Sequence, residues 1–194
     1  MNAFDKLNVL LSQVVPQQPM LEHILREHMK PQQYAKGDVL LSEGEISNSY
    51  LFLASGCIRA FLHDTEGNEV TINFFTPGEM VFEVNSFFQR IPSVEYWDCM
   101  SDCEVLYLNY EVLNHLFHAY PEFRDFGRAM LVRGFIRYKE RTLSHINKTA
   151  EQRYKQLLET KAEVLRHAPL KHVASYLGVT DSSLSRIRRE MSKS

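Results

Sequence analysis

Cysteine is scarce in this sequence, and long apolar runs are lacking. The 194 residues include three cysteines, Cys57, Cys99 and Cys103, an odd number without a paired framework. This usage favours a reducing compartment, so we expect a cytosolic protein. The stretch from Leu7 to Val15 covers only nine positions and is interrupted by three polar residues. We therefore expect no signal peptide, no membrane span and no membrane partner.

Enzyme and cofactor motifs are also missing. The sequence contains no nucleophile–base pair, P-loop or dinucleotide fingerprint, and His63 alone cannot supply the His-x-His of a cupin. Three cysteines are too few for an iron–sulfur cluster with four thiolates, so buried thiols are expected. His115 and His118 have metal-ligand spacing but fit surface or packing roles better. No feature requires haem, and we expect no enzyme, cofactor or metal.

Net charge is small, but it is unevenly distributed. The formal charge is −2, whereas residues 149–194 carry nine Lys and Arg against five Asp and Glu, a net of +4, leaving −6 for residues 1–148. Charge alone is weak evidence for a nucleic-acid partner, so the positions of the charges must decide. The 44% of hydrophobic residues can supply a real core.

Regularly spaced glycines mark a β-rich region over about residues 32–108. Glycines occupy positions 37, 44, 56, 67 and 78, and strand-like runs lie between them. This spacing predicts an antiparallel sandwich or barrel, for which an eight-stranded jelly roll fits best, with a hairpin turn at residues 66–68. A short helix is predicted over residues 19–30, before Pro31.

Helical patterns follow the β-rich region. Residues 111–117 predict a short helix before Pro121, and residues 122–147 predict a long one. A stripe with alternating spacings of four and three runs along the long helix, at Leu131, Phe135, Tyr138, Thr142 and His145/Ile146. The stripe either packs on the chain's own barrel or pairs with a second copy, and the number of large apolar residues favours a homodimer.

Residues 170–189 have the pattern of a helix-turn-helix. In the first helix Val173, Ala174 and Leu177 predict an inner face, and Gly178 suits the left-handed conformation that ends it. Thr180 is a natural N-cap for a second helix, whose buried face is predicted at Leu184, Ile187 and Met191.

The opposite face of the second helix predicts a DNA-binding surface. Ser182, Ser185, Arg186 and Arg189 share one stripe, where arginine can bind guanine and serine can bind phosphate or base edges. A structural hairpin with a solvated arginine face is the alternative. The competing function is then a small-molecule sensor that does not bind DNA.

The order of these parts resembles the CRP/FNR family of bacterial transcription regulators over about residues 20–192. The most specific parts of this resemblance are "HVASYLGVTDSSLSRIRR" and the glycine-rich barrel ending in "PGEMVFEV". The resemblance implies an α+β protein with a jelly-roll sensor domain at 1–120, a dimerisation helix at 121–148 and a helix-turn-helix domain at 149–194. It also implies double-stranded DNA as partner, with base contacts at Asp181, Ser182 and Arg186.

The family's β-hairpin wing is not expected, because the sequence given ends at Ser194, just after the recognition helix. Phosphate contacts are then expected elsewhere. Lys171, His172 and Ser183 are the candidates, and for Ser183 an ordinary place in the first helical turn is an equal alternative.

The resemblance places an effector pocket at Phe82, Glu83, Val84, Ser93, Val94 and Glu95. Glu83 aligns with the family's glutamate, but Phe82 replaces its glycine, Ser93 its arginine and Val94 its serine, and Glu95 adds a negative charge. These changes argue against cyclic AMP, unless Arg59 or Arg90 supplies the missing cation. The pocket then either holds a less anionic small-molecule effector or is filled by the rings of Phe82, Phe87, Phe88 and Trp97.

Overall fold

Two N-terminal helices precede the sheets in the computed structural model, which describes residues 1–16 and 19–192. Helix α1 (Ala3–Val14) begins with a capping box between Asn2 and Asp5, and α2 (Pro19–His28) confirms the helix predicted over 19–30. Sequence analysis did not predict α1. Both helices bury leucines against one sheet and against the long helix described below.

Within the described residues, eight strands form two four-stranded antiparallel sheets. They are β1 (Lys30–Tyr34), β2 (Val39–Leu41), β3 (Ser49–Ser55), β4 (Ile58–His63), β5 (Glu69–Phe75), β6 (Met80–Val81), β7 (Tyr96–Cys99) and β8 (Cys103–Asn109). The strand orders are β1-β8-β3-β6 and β2-β7-β4-β5. A short helix, α3 (Val84–Gln89), lies between β6 and β7. Leu51, Ile58 and Trp97 belong to the apolar core that the two sheets share.

The backbone conformation of two turns explains why glycine occupies positions 67 and 56. Gly67 has φ +82 in the loop that joins β4 to β5, which confirms the hairpin turn predicted at residues 66–68. Gly56 has φ +95 between β3 and β4, and a Cβ atom there would lie 2.4 Å from the carbonyl oxygen of Asp102. Position 56 therefore requires glycine for both its backbone conformation and its packing.

Two helices confirm the predicted pattern after the last strand. Helix α4 (Tyr110–Ala119) is capped by Asn109, and α5 (Pro121–Asn147) starts with proline in its first turn. The first half of α5 buries Phe123, Phe126 and Met130 against the N-terminal helices and α4. Its second half carries several exposed apolar residues among charged ones, including Phe135, Tyr138 and Ile146.

Four further helices complete the described chain. They are α6 (Ala150–Thr160), α7 (Val164–His167), α8 (Leu170–Leu177) and α9 (Asp181–Met191). They share an apolar cluster with the outer side of the second sheet, where Cys57 and Phe74 meet Leu157, Val164 and Leu177. The C-terminal helices are thus packed on the sheet. Residues 193 and 194 of the predicted C-terminal domain lie outside the described residues.

Candidate DNA-binding and effector sites

The α8–α9 hairpin has the geometry predicted from the sequence. Gly178 follows α8 with φ 67 and ψ 39, the left-handed conformation expected of the residue that ends the helix. The Thr180 hydroxyl oxygen caps α9 by accepting from the Ser183 N–H at 3.3 Å. Val173 and Leu184 are fully or almost fully buried between the helices. These contacts hold α9 in a defined orientation on α8.

The outer stripe of α9 is accessible. Ser182, Ser185, Arg186 and Arg189 are all exposed, while Leu184 and Ile187 point into the C-terminal core. Because the docked sheet contacts α8 and leaves this stripe uncovered, a flat or grooved partner can reach all four side chains. We call these four residues the α9 ridge.

The other predicted DNA contacts have different surroundings. Asp181 and Lys171 are exposed in the first turns of α9 and α8. Ser183 is half-buried, and its hydroxyl oxygen lies 3.0 Å from that of Thr180, so its side chain belongs to the cap region. His172 is buried, and this excludes it as a free phosphate contact in this arrangement.

His172 is buried because it meets a charged cluster on the second sheet. Arg59 contacts its ring, and the same guanidinium pairs with Asp98 at 2.7 Å and with Glu69 at 2.7 Å. Close by, the Thr71 N–H donates to the Ser175 hydroxyl oxygen at 2.9 Å. We name Arg59, Glu69, Asp98 and His172 the interdomain cluster. Burial, reinforced by the charge of Arg59, lowers the pKa of His172.

A cavity of about 820 Å³ lies between the second sheet, α5 and the C-terminal helices. Phe82, Glu83, Val84 and Glu95 line it, so the structure brings together four of the six predicted pocket residues. Phe82 also packs its ring against Tyr50 at 4.9 Å and against Phe87 at 6.3 Å. The rings of Phe82, Tyr50 and Phe87 therefore occupy one side of the predicted pocket, and the cavity lies beside them.

The two glutamates predicted for the pocket, Glu83 and Glu95, are already hydrogen-bonded. Glu83 caps α3 by accepting from the Asn85 and Ser86 N–H groups at 2.9 and 2.5 Å. Glu95 accepts from the Trp97 indole N–H at 2.7 Å. Burial raises the pKa of Glu95, and this effect exceeds the opposing effect of the Trp97 hydrogen bond.

Ser93 and Val94 do not line the cavity. Ser93 is buried in its own loop, where its N–H donates to the Glu45 carbonyl and its hydroxyl accepts from the Glu95 N–H at 3.0 Å. Val94 is exposed to solvent. The resemblance assigns both residues to the pocket, but the path of their loop directs them away from the cavity.

The two substitute cations are engaged away from the cavity. Arg59 is held in the interdomain cluster, and Arg90 donates to the Ser47 carbonyl at 2.8 Å and lies over the Tyr110 ring. In this arrangement neither takes the place of the family's phosphate-binding arginine, whose position Ser93 occupies. The cations that do line the cavity come from α5, from α6 and from the residue after α6; they are Arg137, Arg141, Arg153 and Lys161.

The three cysteines are buried free thiols, as the sequence predicted. Burial raises the pKa of Cys57 to about 12, while the Cys103 thiol donates to the Ser101 carbonyl at 3.2 Å. Residues 1–16 and 19–192 contain no group of three or more His, Cys, Asp or Glu side chains arranged to hold a metal ion. Over the same ranges, no helix combines the length and the apolarity needed to cross a bilayer. The cytosolic location stays a prediction.

Sequence analysis missed the interdomain cluster and Arg141. The members of the interdomain cluster come from separate strands and helices, and only the fold brings them together. Charged residues inside predicted strands, such as Arg59 and Asp98, are the one local signal, because a charge on a packed strand needs a partner.

Comparison with known proteins finds a family match over the β-rich part of the chain. Residues 31–120 match the family model described as a cyclic nucleotide-binding domain. The chain is 22% identical over 104 residues to the cAMP-activated global transcriptional regulator CRP of Salmonella typhimurium, over 54% of this chain and 49% of that protein. The chain thus spans about half the length of the curated relatives it matches.

Solved structures extend the likeness to most of the chain. FixK2 from Bradyrhizobium japonicum has a TM-score of 0.72 at 16% identity and covers 85% of each chain. The c-di-GMP responsive global regulator CLP of Xanthomonas campestris has a TM-score of 0.68 at 17% identity, over 89% of this chain and 90% of that one. At these identities the likeness shows the fold. With the domain match, it confirms the resemblance to the CRP/FNR family of transcription regulators.

Proposed function

We propose that this protein is a sequence-specific DNA-binding transcription regulator controlled by its sensor domain. The observation that carries the proposal is the α9 ridge, which is exposed on a capped helix whose opposite face is buried. We assign the sensor to residues 1–120, the dimerisation helix to 121–148 and the DNA-binding domain to 149–194. The bounds of α5, Pro121–Asn147, support this division.

In the proposed complex α9 enters the major groove. Arg186 reads a guanine through two parallel hydrogen bonds, and Ser182 and Ser185 allow close approach of the helix to the bases. Asp181 lies at the start of the same helix, and Arg189 continues the ridge. Lys171, exposed at the start of α8, contacts the phosphate backbone and positions the helix without reading sequence.

A homodimer supplies the second recognition helix. Along α5, Phe135 is 67% exposed and Tyr138 is 69% exposed, and Leu131 and Ile146 are exposed as well. Large apolar side chains at helical spacing are expected to be covered by another copy. Two-fold pairing along α5 would place two α9 ridges on one face, for half-sites about 34 Å apart.

The sensor domain is proposed to be a jelly roll with an effector other than cyclic AMP. The two antiparallel sheets and their strand orders support the jelly roll. The pocket lacks the phosphate-binding arginine, and Arg59 and Arg90 are held by other groups. Glu83 and Glu95 would also repel a phosphate. The cavity beside Phe82 is the proposed effector space.

The test is selection of bound sequences from random duplex DNA, followed by fluorescence anisotropy over a range of salt concentrations. We expect affinity to fall steeply as salt rises, because phosphate contacts release counterions. Arg186→Ala should reduce discrimination at one base pair by about 1–3 kcal/mol, roughly 5- to 150-fold, with unchanged thermal stability.

Arg188→Ala is the matched control, since Arg188 is exposed on α9 but lies outside the ridge. It should leave the selected sequence unchanged. Absence of duplex retention at low salt would favour the alternative, a sensor with a purely structural hairpin. Unchanged discrimination together with lowered stability in Arg186→Ala would assign that residue to the core.

A further inference from the structure

Arg141 on α5 occupies an unusual position in the cavity. Its guanidinium donates to the Ile72 carbonyl of β5 and, at 3.4 Å, to the Tyr176 carbonyl of α8. The guanidinium carbon also lies 4.4 Å from the centre of the Tyr176 ring. One side chain thus connects the long helix, the sensor sheet and the DNA-binding hairpin.

The charge of Arg141 is not balanced within the described chain. Its Nε atom is buried without a hydrogen-bond partner, and no ion pair joins it to a carboxylate among residues 1–16 and 19–192. Burial lowers the pKa of the guanidinium, as expected for a cation with no counter-charge. Buried charges in proteins are normally paired, so an uncompensated one beside a cavity is suited to binding an anion.

The other ionised groups of the cavity have partners. Lys161 bonds Glu79 at 3.0 Å, and Arg137 binds the other oxygen of the same carboxylate. The guanidinium of Arg153 donates to the carbonyls of Leu177 and Lys148. Glu83 and Glu95 accept the hydrogen bonds described above, and Glu140 is exposed. Arg141 is therefore the cation best placed to bind an added ligand.

We propose that this cavity binds a small organic monocarboxylate with an apolar, ring-containing body, and that Arg141 holds the carboxylate. Once the Arg141 side chain turns to expose Nε, which is covered in this arrangement, a carboxylate can accept side-on from Nε and Nη2, the bidentate geometry that arginine favours. Among the described residues Arg141 is the cavity-lining cation whose buried N–H lacks a partner, and one carboxylate satisfies it, whereas Glu83 and Glu95 oppose a second negative charge. The lining rings of Phe75, Phe135 and Tyr176 suit an aromatic body.

The volume and the lining support a ligand of this size. About 820 Å³ falls within the range of known small-molecule pockets, which are mostly apolar with a few polar groups that orient the ligand. Because Arg141 also bonds β5 and α8, the ligand would alter contacts between sensor and hairpin. This last step rests on the proposed regulator function, whereas binding of the carboxylate does not.

The experiment uses the full chain and the fluorescence of Trp97, which lines the cavity and is the only tryptophan in the sequence. The probes are 4-phenylbutyrate and its neutral analogue 4-phenylbutanamide, with titration calorimetry as a second measurement. We expect the carboxylate to bind about tenfold or more tightly than the amide, since hydrogen bonds to charged groups are the stronger class.

Three variants separate charge from shape. Arg141→Gln should remove the preference for the carboxylate. Arg133→Gln, on an exposed position of the same helix, should retain it. Gly134→Leu should weaken binding of both probes by occupying part of the cavity, and it should fold, because a Cβ at position 134 meets no atom within 4 Å and leucine favours a helix.

Three results would overturn the proposal. They are equal affinity of the wild-type protein for both probes, no saturable binding of either probe at millimolar concentration, and full binding by Gly134→Leu. If Arg141→Gln fails to fold, the comparison of the two probes and Gly134→Leu still decide. All titrations are made without DNA, so a failure of DNA binding and a failure of carboxylate binding give distinct results.

Discussion

Replacing Arg59 with methionine should destabilise the protein by about 3 kcal/mol, because it leaves Asp98 in the interdomain cluster without its counter-charge. Arg59 is 3% exposed and bonds Asp98 through both Nε, at 2.9 Å, and Nη2, at 2.7 Å. The Asp98 side chain is only 19% exposed, so water replaces these bonds poorly. Glu69 is 42% exposed and can rehydrate, so its lost ion pair adds little.

This value lies at the lower end of the range of about 3–5 kcal/mol for breaking a buried ion pair. For a chain of this size it corresponds to a decrease in Tm of about 6–12 °C. The assay is urea denaturation followed by Trp97 fluorescence and circular dichroism. Asp98→Asn provides the second single variant of a double-mutant cycle, in which the combined loss should be smaller than the sum. A loss below about 1 kcal/mol for Arg59→Met, or strict additivity in the cycle, would refute the reasoning.

Two further predictions concern His172 and Gly56. The folded state lowers the pKa of His172 below its usual 6.5. The stabilisation from neutral His172 is therefore present above pH 6.5 and is lost as pH falls through the lower folded value. Between pH 7.5 and 5.5 the urea midpoint should drop more for the wild type than for His172→Gln. Gly56→Ala should cost about 3 kcal/mol in thermal denaturation, since its Cβ would meet a backbone oxygen. Gly67→Ala, with a positive φ but open space around its Cβ, should cost only about 1 kcal/mol, and equal losses would contradict this packing argument.

Local chemistry explains why the hairpin could be predicted in detail. A glycine that ends a helix, a threonine that caps the next one and apolar residues at helical spacing act over a few positions, so Gly178, Thr180 and Leu184 occupy the expected places. The hairpin turn around Gly67 was predictable for the same reason.

Contacts between distant segments could not be predicted. His172 is a predicted phosphate contact because it lies at the start of the first helix of the hairpin, but α8 packs on β5 and brings it to Arg59, 113 residues earlier. Ser93 and Val94 were placed in the pocket by residue order, and the path of their loop takes them elsewhere. Arg141 gains its role only where α5, β5 and α8 meet.

The shared apolar cluster of the second sheet and the C-terminal helices sets an energetic condition on signalling. If the hairpin reorients by leaving the sheet, Phe74 and Cys57 lose apolar contacts with Leu157 and Val164, and the exposed surface opposes the change. Converting a population that is almost entirely docked into one that is almost entirely released requires an effector with about a 10⁴-fold preference for the released form. A weaker preference would leave both forms populated even at saturating effector, so the response would be partial.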